Sequence, residues 1–152
     1  MTNINNLLNE FEQLTRWLES LKKMDAEKFF SPLAEGKWSV AALVSHFKSW
    51  DEYVLYNRVP LFNGEVAQGE NGPDQEEVNE NAKQYAHSGI SQENLINEVI
   101  HTRKQFIQTL SELPEEAWSK NHQLNENKTI TLEDYISGLI SHDEHHQKQV
   151  AL

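Results

Sequence analysis

Ile4, Leu7, Leu8, Phe11, Leu14, Leu18 and Leu21 recur at three- and four-residue steps, with Asn, Glu and Lys filling the places between. An apolar stripe of that period, about five turns long, is buried only by coiling as an α-helix and laying one face on a core. Three more stripes follow. Val40, Leu43, Val44, Phe47, Val54 and Leu55 come after Ser39, a residue suited to cap a helix, and Trp38 with Leu43 is placed to form a hydrophobic staple. Leu95, Val99, Phe106, Ile107 and Leu110 follow a second capping serine, Ser91, and run to about Glu112. The last stripe, Leu132, Tyr135, Ile136 and Leu139, begins at Thr131 with Asp134 three residues on, a capping-box start with Asp in place of Glu or Gln. No apolar run has the period of two that marks a half-buried strand.

The connections complete the layout. Residues 24–37 contain Pro32 and Gly36, and Phe29, Phe30 and Leu33 are expected against the bundle end. Pro60 is expected to stop the second helix, because it lacks an N–H and clashes with the preceding turn. The run NGEVAQGENGP at 63–73 reads as a loop whose length suits a crossover joining two parallel helices. Asp74 with Glu77 marks another helix start, carrying Val78, Ala82 and Tyr85, broken at His87-Ser88-Gly89. A short turn follows Pro114, and 119–129 reads as a polar loop. The fold expected is all-α, a four-helix bundle with a long crossover between helices 2 and 3, as one domain over residues 1–152.

Composition excludes more than it selects. There is no cysteine, so disulfides, thiolate metal sites and cysteine nucleophiles are absent, which fits a cytoplasmic location. A net charge of −11 disfavours nucleic acid and anionic lipid as partners. The N-terminus lacks the basic and apolar regions of a signal peptide, and no segment approaches the roughly 18 apolar residues of a membrane span. Phosphate-cradling glycine loops, GxSxG and HExxH are missing. Glu76-Glu77 and Glu115-Glu116 sit at helix N-termini, where they favour the helix dipole.

Chemistry gathers on histidine. Continuing the last stripe places His142, His146 and Gln149 on the core-facing side. Imidazoles at i and i+4 lie about 5–6 Å apart at Cβ, close enough to point at one cation. Such a pair is also common as plain solvated side chains, so a metal reading needs a third ligand. His46 supplies one: it borders the apolar face of the second helix, with Trp50, Tyr53 and Asn57 following at four, seven and eleven residues. Bundles build metal sites from facing helices, and three His with open positions is a catalytic arrangement. Nitrogen ligands without sulfur suit Zn, Ni, Fe or Cu. Gln149 is placed to orient a ligand or bound water, and Trp50, Tyr53 and Asn57 to line the pocket, although aromatics at this spacing are more often core. His145 is turned aside, His87 and His122 read as loop residues, and His101 falls near the inward edge of the third helix as a further pocket residue.

GKWSVAALVSHFKSWDEYV in the first half, taken with SHDEHHQKQV near the end, resembles the DinB-like superfamily over nearly the whole chain. WSVAALVSHFKSW and the later NENAKQYA and ELPEEAW resemble the ClbS/DfsB branch, which includes the colibactin self-resistance protein, while the HDEHH tail resembles the metal-binding bacillithiol transferases. The resemblance implies a four-helix bundle, often a homodimer, with a divalent ion held by His46, His142 and His146. It implies activation of a small-molecule electrophile for attack by a low-molecular-weight thiol or by metal-bound water, as a transferase or hydrolase of the detoxification or self-resistance type. Two other readings stand beside it: a bundle that sequesters a small molecule without turnover, and a His cluster that makes a dimer interface sensitive to pH.

Overall fold

The four apolar stripes become four long helices closing on one core. The computed structural model describes residues 3–65, 74–125 and 127–150. Its first half contains α1 (Ile4–Ser20), α2 (Ala26–Phe30), α3 (Val40–Asn57) and α4 (Val59–Phe62). Then come α5 (Gln75–Ala86), α6 (Gln92–Ser111), α7 (Glu115–Ser119), the strands β1 (Asn121–Asn125) and β2 (Lys128–Thr131), and α8 (Leu132–Lys148). The capping residues do what their chemistry suggests. Ser39 Oγ accepts from the Ala42 N–H at 3.0 Å, Ser91 Oγ from Asn94 at 3.1 Å and Thr131 Oγ from Asp134 at 3.1 Å, each satisfying an orphan donor of the first turn.

Side-chain contacts set the helix directions. The amide of Gln92, at the start of α6, donates to the Leu21 carbonyl just beyond the end of α1, while Phe11 meets Phe106 edge-on at 5.1 Å. So α1 runs opposite to α6. Arg103 pairs with both Asp51 and Asp143, and the core groups 40–47 of α3 with 95–100 of α6 and Val150 at one end, and 54–55 with 106–110 and 132–140 at the other, so α3 is parallel to α6 and opposed to α8. The crossover between the parallel pair is itself helical: α5 returns along α3, with Asn79 beside His46 and His87 beside Ser39. Of the expected loop, residues 66–73 lie outside the described residues.

Several local expectations are corrected. Pro60 does not end the second helix; α3 stops at Asn57, and Pro60 sits in the first turn of α4, where its missing N–H costs nothing. The stretch read as a polar loop at 119–129 is mostly an antiparallel hairpin, with Asn121 opposite Thr131 and His122 opposite Ile130. His122 is thus a buried strand residue, its Nε2 2.8 Å from the Ala117 carbonyl and its ring 5.0 Å from Phe62. Leu33 and Tyr85 are exposed rather than packed inward, and the Tyr85 hydroxyl donates to Glu98 at 2.6 Å. Met24, Phe29 and Phe30 do pack against the core.

The core has two apolar layers. One gathers Leu14, Leu18, Val44, Phe47 and Val99; the other gathers Phe11, Val54, Phe106, Leu132 and Ile136. Between them lies a charged layer. Arg103, 1 % exposed, forks onto Asp51 through Nε at 2.7 Å and a terminal nitrogen at 3.0 Å. Its other terminal nitrogen donates to Asp143 at 2.8 Å and to the Phe11 carbonyl at 3.0 Å, and the guanidinium lies 3.9 Å from the centre of the Phe11 ring. Burial opposes the charge on Arg103, but the two carboxylates outweigh it and hold its pKa above the ordinary value. The group therefore ties α1, α3, α6 and α8 together at mid-height. Arg103→Met, which strands two buried carboxylates, is expected to cost about 3–5 kcal/mol in urea unfolding. The triple variant Asp51→Leu, Arg103→Met, Asp143→Leu is expected to recover most of that loss; a triple as unstable as the single would contradict it.

Candidate metal centre

One turn above the charged layer, α3 and α8 face each other across a seam partly covered by α5. His46 projects from α3 and His142 and His146 from α8, because α8 is rotated to bury Leu132, Ile136, Ile140 and Asp143. That rotation leaves the two imidazoles at the rim of the core. Ring centroids are 4.8 Å apart for His46–His146, 5.9 Å for His46–His142 and 4.3 Å for His142–His146. One nitrogen from each lies within 4.8 Å of the others.

The hydrogen bonds decide which nitrogen His46 presents. Trp50 Nε1–H donates to Asn79 Oδ1 at 3.0 Å, which identifies that atom as the carbonyl oxygen. His46 Nδ1, 2.9 Å from the same oxygen, must then carry a proton, so its Nε2 bears the lone pair. That Nε2 is buried and has no hydrogen-bond partner. His146 repeats the pattern, with Nδ1 3.0 Å from Gln149 Oε1 and Nε2 3.1 Å from His142 Nε2. Two ligand nitrogens on one tetrahedral ion sit about 3.3–3.4 Å apart. The spacing of the pair and the orphaned lone pair of His46 are what a divalent cation would fill, and the donor set fits Zn, Ni or Fe.

Electrostatics favour the same state. Burial, more than the neighbouring imidazoles, lowers the pKa of His46 to about 4, against the opposing pull of its bond to Asn79. Burial and then His146 also lower that of His142. Neutral imidazole is the ligand form, so at neutral pH an ion need displace no proton from His46.

A cavity of about 820 Å³ opens beside the cluster, walled by Trp38, Trp50, Tyr53 and Leu139, with Arg58 and Tyr135 at its far end. A second, of about 610 Å³, lies on the other side of Trp38 and His146 and reaches Gln149. Trp50 and Tyr53 thus line the site's cavity. Asn57 does not: it is exposed, and its amide donates to the Tyr53 carbonyl at 3.1 Å. His145 is exposed to one side of His146. His101, expected inward, is exposed and lines a separate shallow groove with Tyr56 and Lys104. Asn79 was not foreseen. It is half-buried beside the inward face of α5 that carries Ala82 and Ala86, and nothing in the sequence indicates its partner on α3.

The model of the DinB superfamily matches residues 10–150. The chain belongs to that superfamily. No curated protein matches the sequence. Among solved structures, YfiT from Bacillus subtilis, described as a probable metal-dependent hydrolase with an unusual four-helix bundle topology, superposes with a TM-score of 0.76. It is 16% identical, over 97% of this chain and 83% of that one. A mycothiol-dependent maleylpyruvate isomerase superposes with a TM-score of 0.67 at 22% identity, covering 99% of this chain and 64% of the isomerase. These likenesses establish the DinB-like bundle. Among the described residues no helix is long and apolar enough to cross a membrane.

The lowered pKa of His46 has a consequence for stability. Above about pH 6.5 the ring is neutral whether the chain is folded or not; below that, the unfolded chain takes a proton the folded chain refuses. Stability is therefore full above about 6.5 and is lost as pH falls toward 4, by on the order of 3 kcal/mol. Thermal unfolding of metal-free protein is expected to show this loss, and His46→Gln to lack it. Parallel pH profiles for the two proteins would contradict the account.

Proposed function

We propose that this protein is a divalent-metal-dependent enzyme that activates a small electrophile for attack by a low-molecular-weight thiol or by water, as a transferase or hydrolase. The observation that carries the reading is the buried, unpartnered Nε2 of His46 facing two imidazoles on another helix. His46, His142 and His146 would hold the ion. Bound there, it would supply Lewis acidity, polarising an electrophilic oxygen or acidifying a nucleophile.

The chain's own residues do the rest. Asn79 holds His46 in the tautomer that offers Nε2, and Gln149 lies beside Nδ1 of His146 and orients that ring. Trp38 and Trp50 pack against His46, at 5.4 and 6.3 Å between ring centres, and keep water from its flank. Tyr53 and Leu139 continue that wall and orient a substrate body. The thiol version draws support from the mycothiol dependence of one structural relative and the hydrolytic version from the description of the other. The setting we propose is the cytoplasm, where small thiols stay reduced.

Tag-free protein, stripped with chelator and titrated with Zn(II) or Ni(II) by calorimetry, is expected to bind one ion per chain. His142→Ala and His146→Ala are expected to abolish that binding, and Asn79→Ala to weaken it about 10–100-fold. Absence of stoichiometric binding, or binding indifferent to both histidine variants, would refute the reading.

A further inference from the structure

The end of the main cavity away from the histidines has its own chemistry. The chain has 24 acidic residues against 13 Lys and Arg, yet no Asp or Glu is among the described residues that line this cavity. Among the described lining residues Arg58, half-buried at the junction of α3 and α4, is the one permanent cation. Among the described residues Arg58 has no carboxylate partner; its guanidinium instead lies 5.7 Å from the centre of the Tyr53 ring. In a strongly acidic protein, a cation left without a counter-ion inside a cavity is a standing demand for an anion. The acidic first turn of α5, Glu76 and Glu77, is exposed and does not answer it.

Two phenols flank the guanidinium. Tyr53 and Tyr135 line the same end. Burial, opposed by Arg58, holds the Tyr135 hydroxyl above its ordinary pKa, so it remains a donor at neutral pH. A guanidinium fork with adjacent hydroxyl donors matches the planar, two-oxygen face of a carboxylate. Apart from Gln75 and Asn79 on the α5 side, the walls between are aromatic and aliphatic, with Trp50, Val54 and Leu139 suited to a flat unsaturated body. His46 and Arg58 are twelve residues apart on the α3 side, about 18 Å of helical rise, so a ligand reaching both ends is elongated.

We infer that Arg58 and its flanking tyrosines form a carboxylate-binding subsite, and that the substrate is an elongated, unsaturated or aromatic acid held by its carboxylate there while its reacting end lies at the histidines. The second half of this statement rests on the function proposed above; the subsite itself does not.

The test uses metal-free protein, so that a carboxylate cannot bind through an ion. The probes are 3-phenylpropionate and its neutral amide, 3-phenylpropanamide, followed by quenching of the fluorescence of Trp38 and Trp50, which line the cavity. The acid is expected to bind about tenfold or more tightly than the amide. Arg58→Gln is expected to erase that preference, Arg58→Lys to keep part of it, and Lys104→Gln, in the separate groove, to leave it whole. Equal affinities in the unaltered protein, a preference that survives Arg58→Gln, or no saturable binding of the acid would each overturn the subsite. Because no metal is present, failure here is separate from failure of the metal centre, which the calorimetric titration reads.

Discussion

A single guanidinium sealed between two apolar layers fixes how the helices of this bundle meet. Arg103 donates a fork of bonds to Asp51 on α3, and further bonds to Asp143 on α8 and to the Phe11 carbonyl on α1. Apolar surfaces tolerate sliding, because one methyl group replaces another at little cost. A buried ion pair does not, since any slip leaves a charge without its partner in a poorly solvating medium. Asp143 adjoins His142 in sequence, and Asp51 lies one turn beyond His46. A one-residue slip of α8 would turn its side chains by about 100° and carry both imidazoles off the seam. The charged layer is therefore a register device, and the histidine cluster is placed by it.

Above that layer His46 is held by a neighbour on another helix. Asn79 accepts from both Trp50 and His46, and in doing so dictates which nitrogen of His46 is bare. Burial then keeps that nitrogen unprotonated far below neutral pH. An unpaired buried lone pair is a cost to the folded chain, of the kind tolerated where something binds. The crossover helix α5 has a reason to be helical and to lie on α3: it delivers Asn79 to this point and closes one wall of the cavity. The proposed metal-binding and anion-binding ends of that cavity thus share one helix face, from His46 through Trp50 and Tyr53 toward Arg58.

The stripes and capping residues made the four long helices and the crossover legible from sequence, and the HxxxH spacing with His46 on a facing helix made the cluster legible too. Four features were not read there. Asn79 acts across helices, and nothing in its local pattern marks a tertiary hydrogen bond. Arg103, Asp51 and Asp143 were readable in principle, since each occupies a core-facing position in its stripe: 99, 103 and 106 on α6, 47, 51 and 54 on α3, and 136, 140 and 143 on α8. Charged residues at three inward positions of opposite sign were the missed signal. The hairpin was hidden because among its described residues the apolar ones turned inward are only Leu124 and Ile130, too few to announce a period of two against polar neighbours. Asn57 continued the helical spacing of Trp50 and Tyr53 but fell at the frayed end of α3, where the face turns to solvent.

The proposed chemistry requires three imidazoles from two helices to share one ion. X-ray absorption at the metal edge of tag-free, Zn-loaded protein measures that directly. It is expected to show about three imidazole nitrogens at about 2.0–2.1 Å, with one fewer in His46→Ala. A first shell of oxygen alone, or a nitrogen count unchanged by His46→Ala, would contradict it.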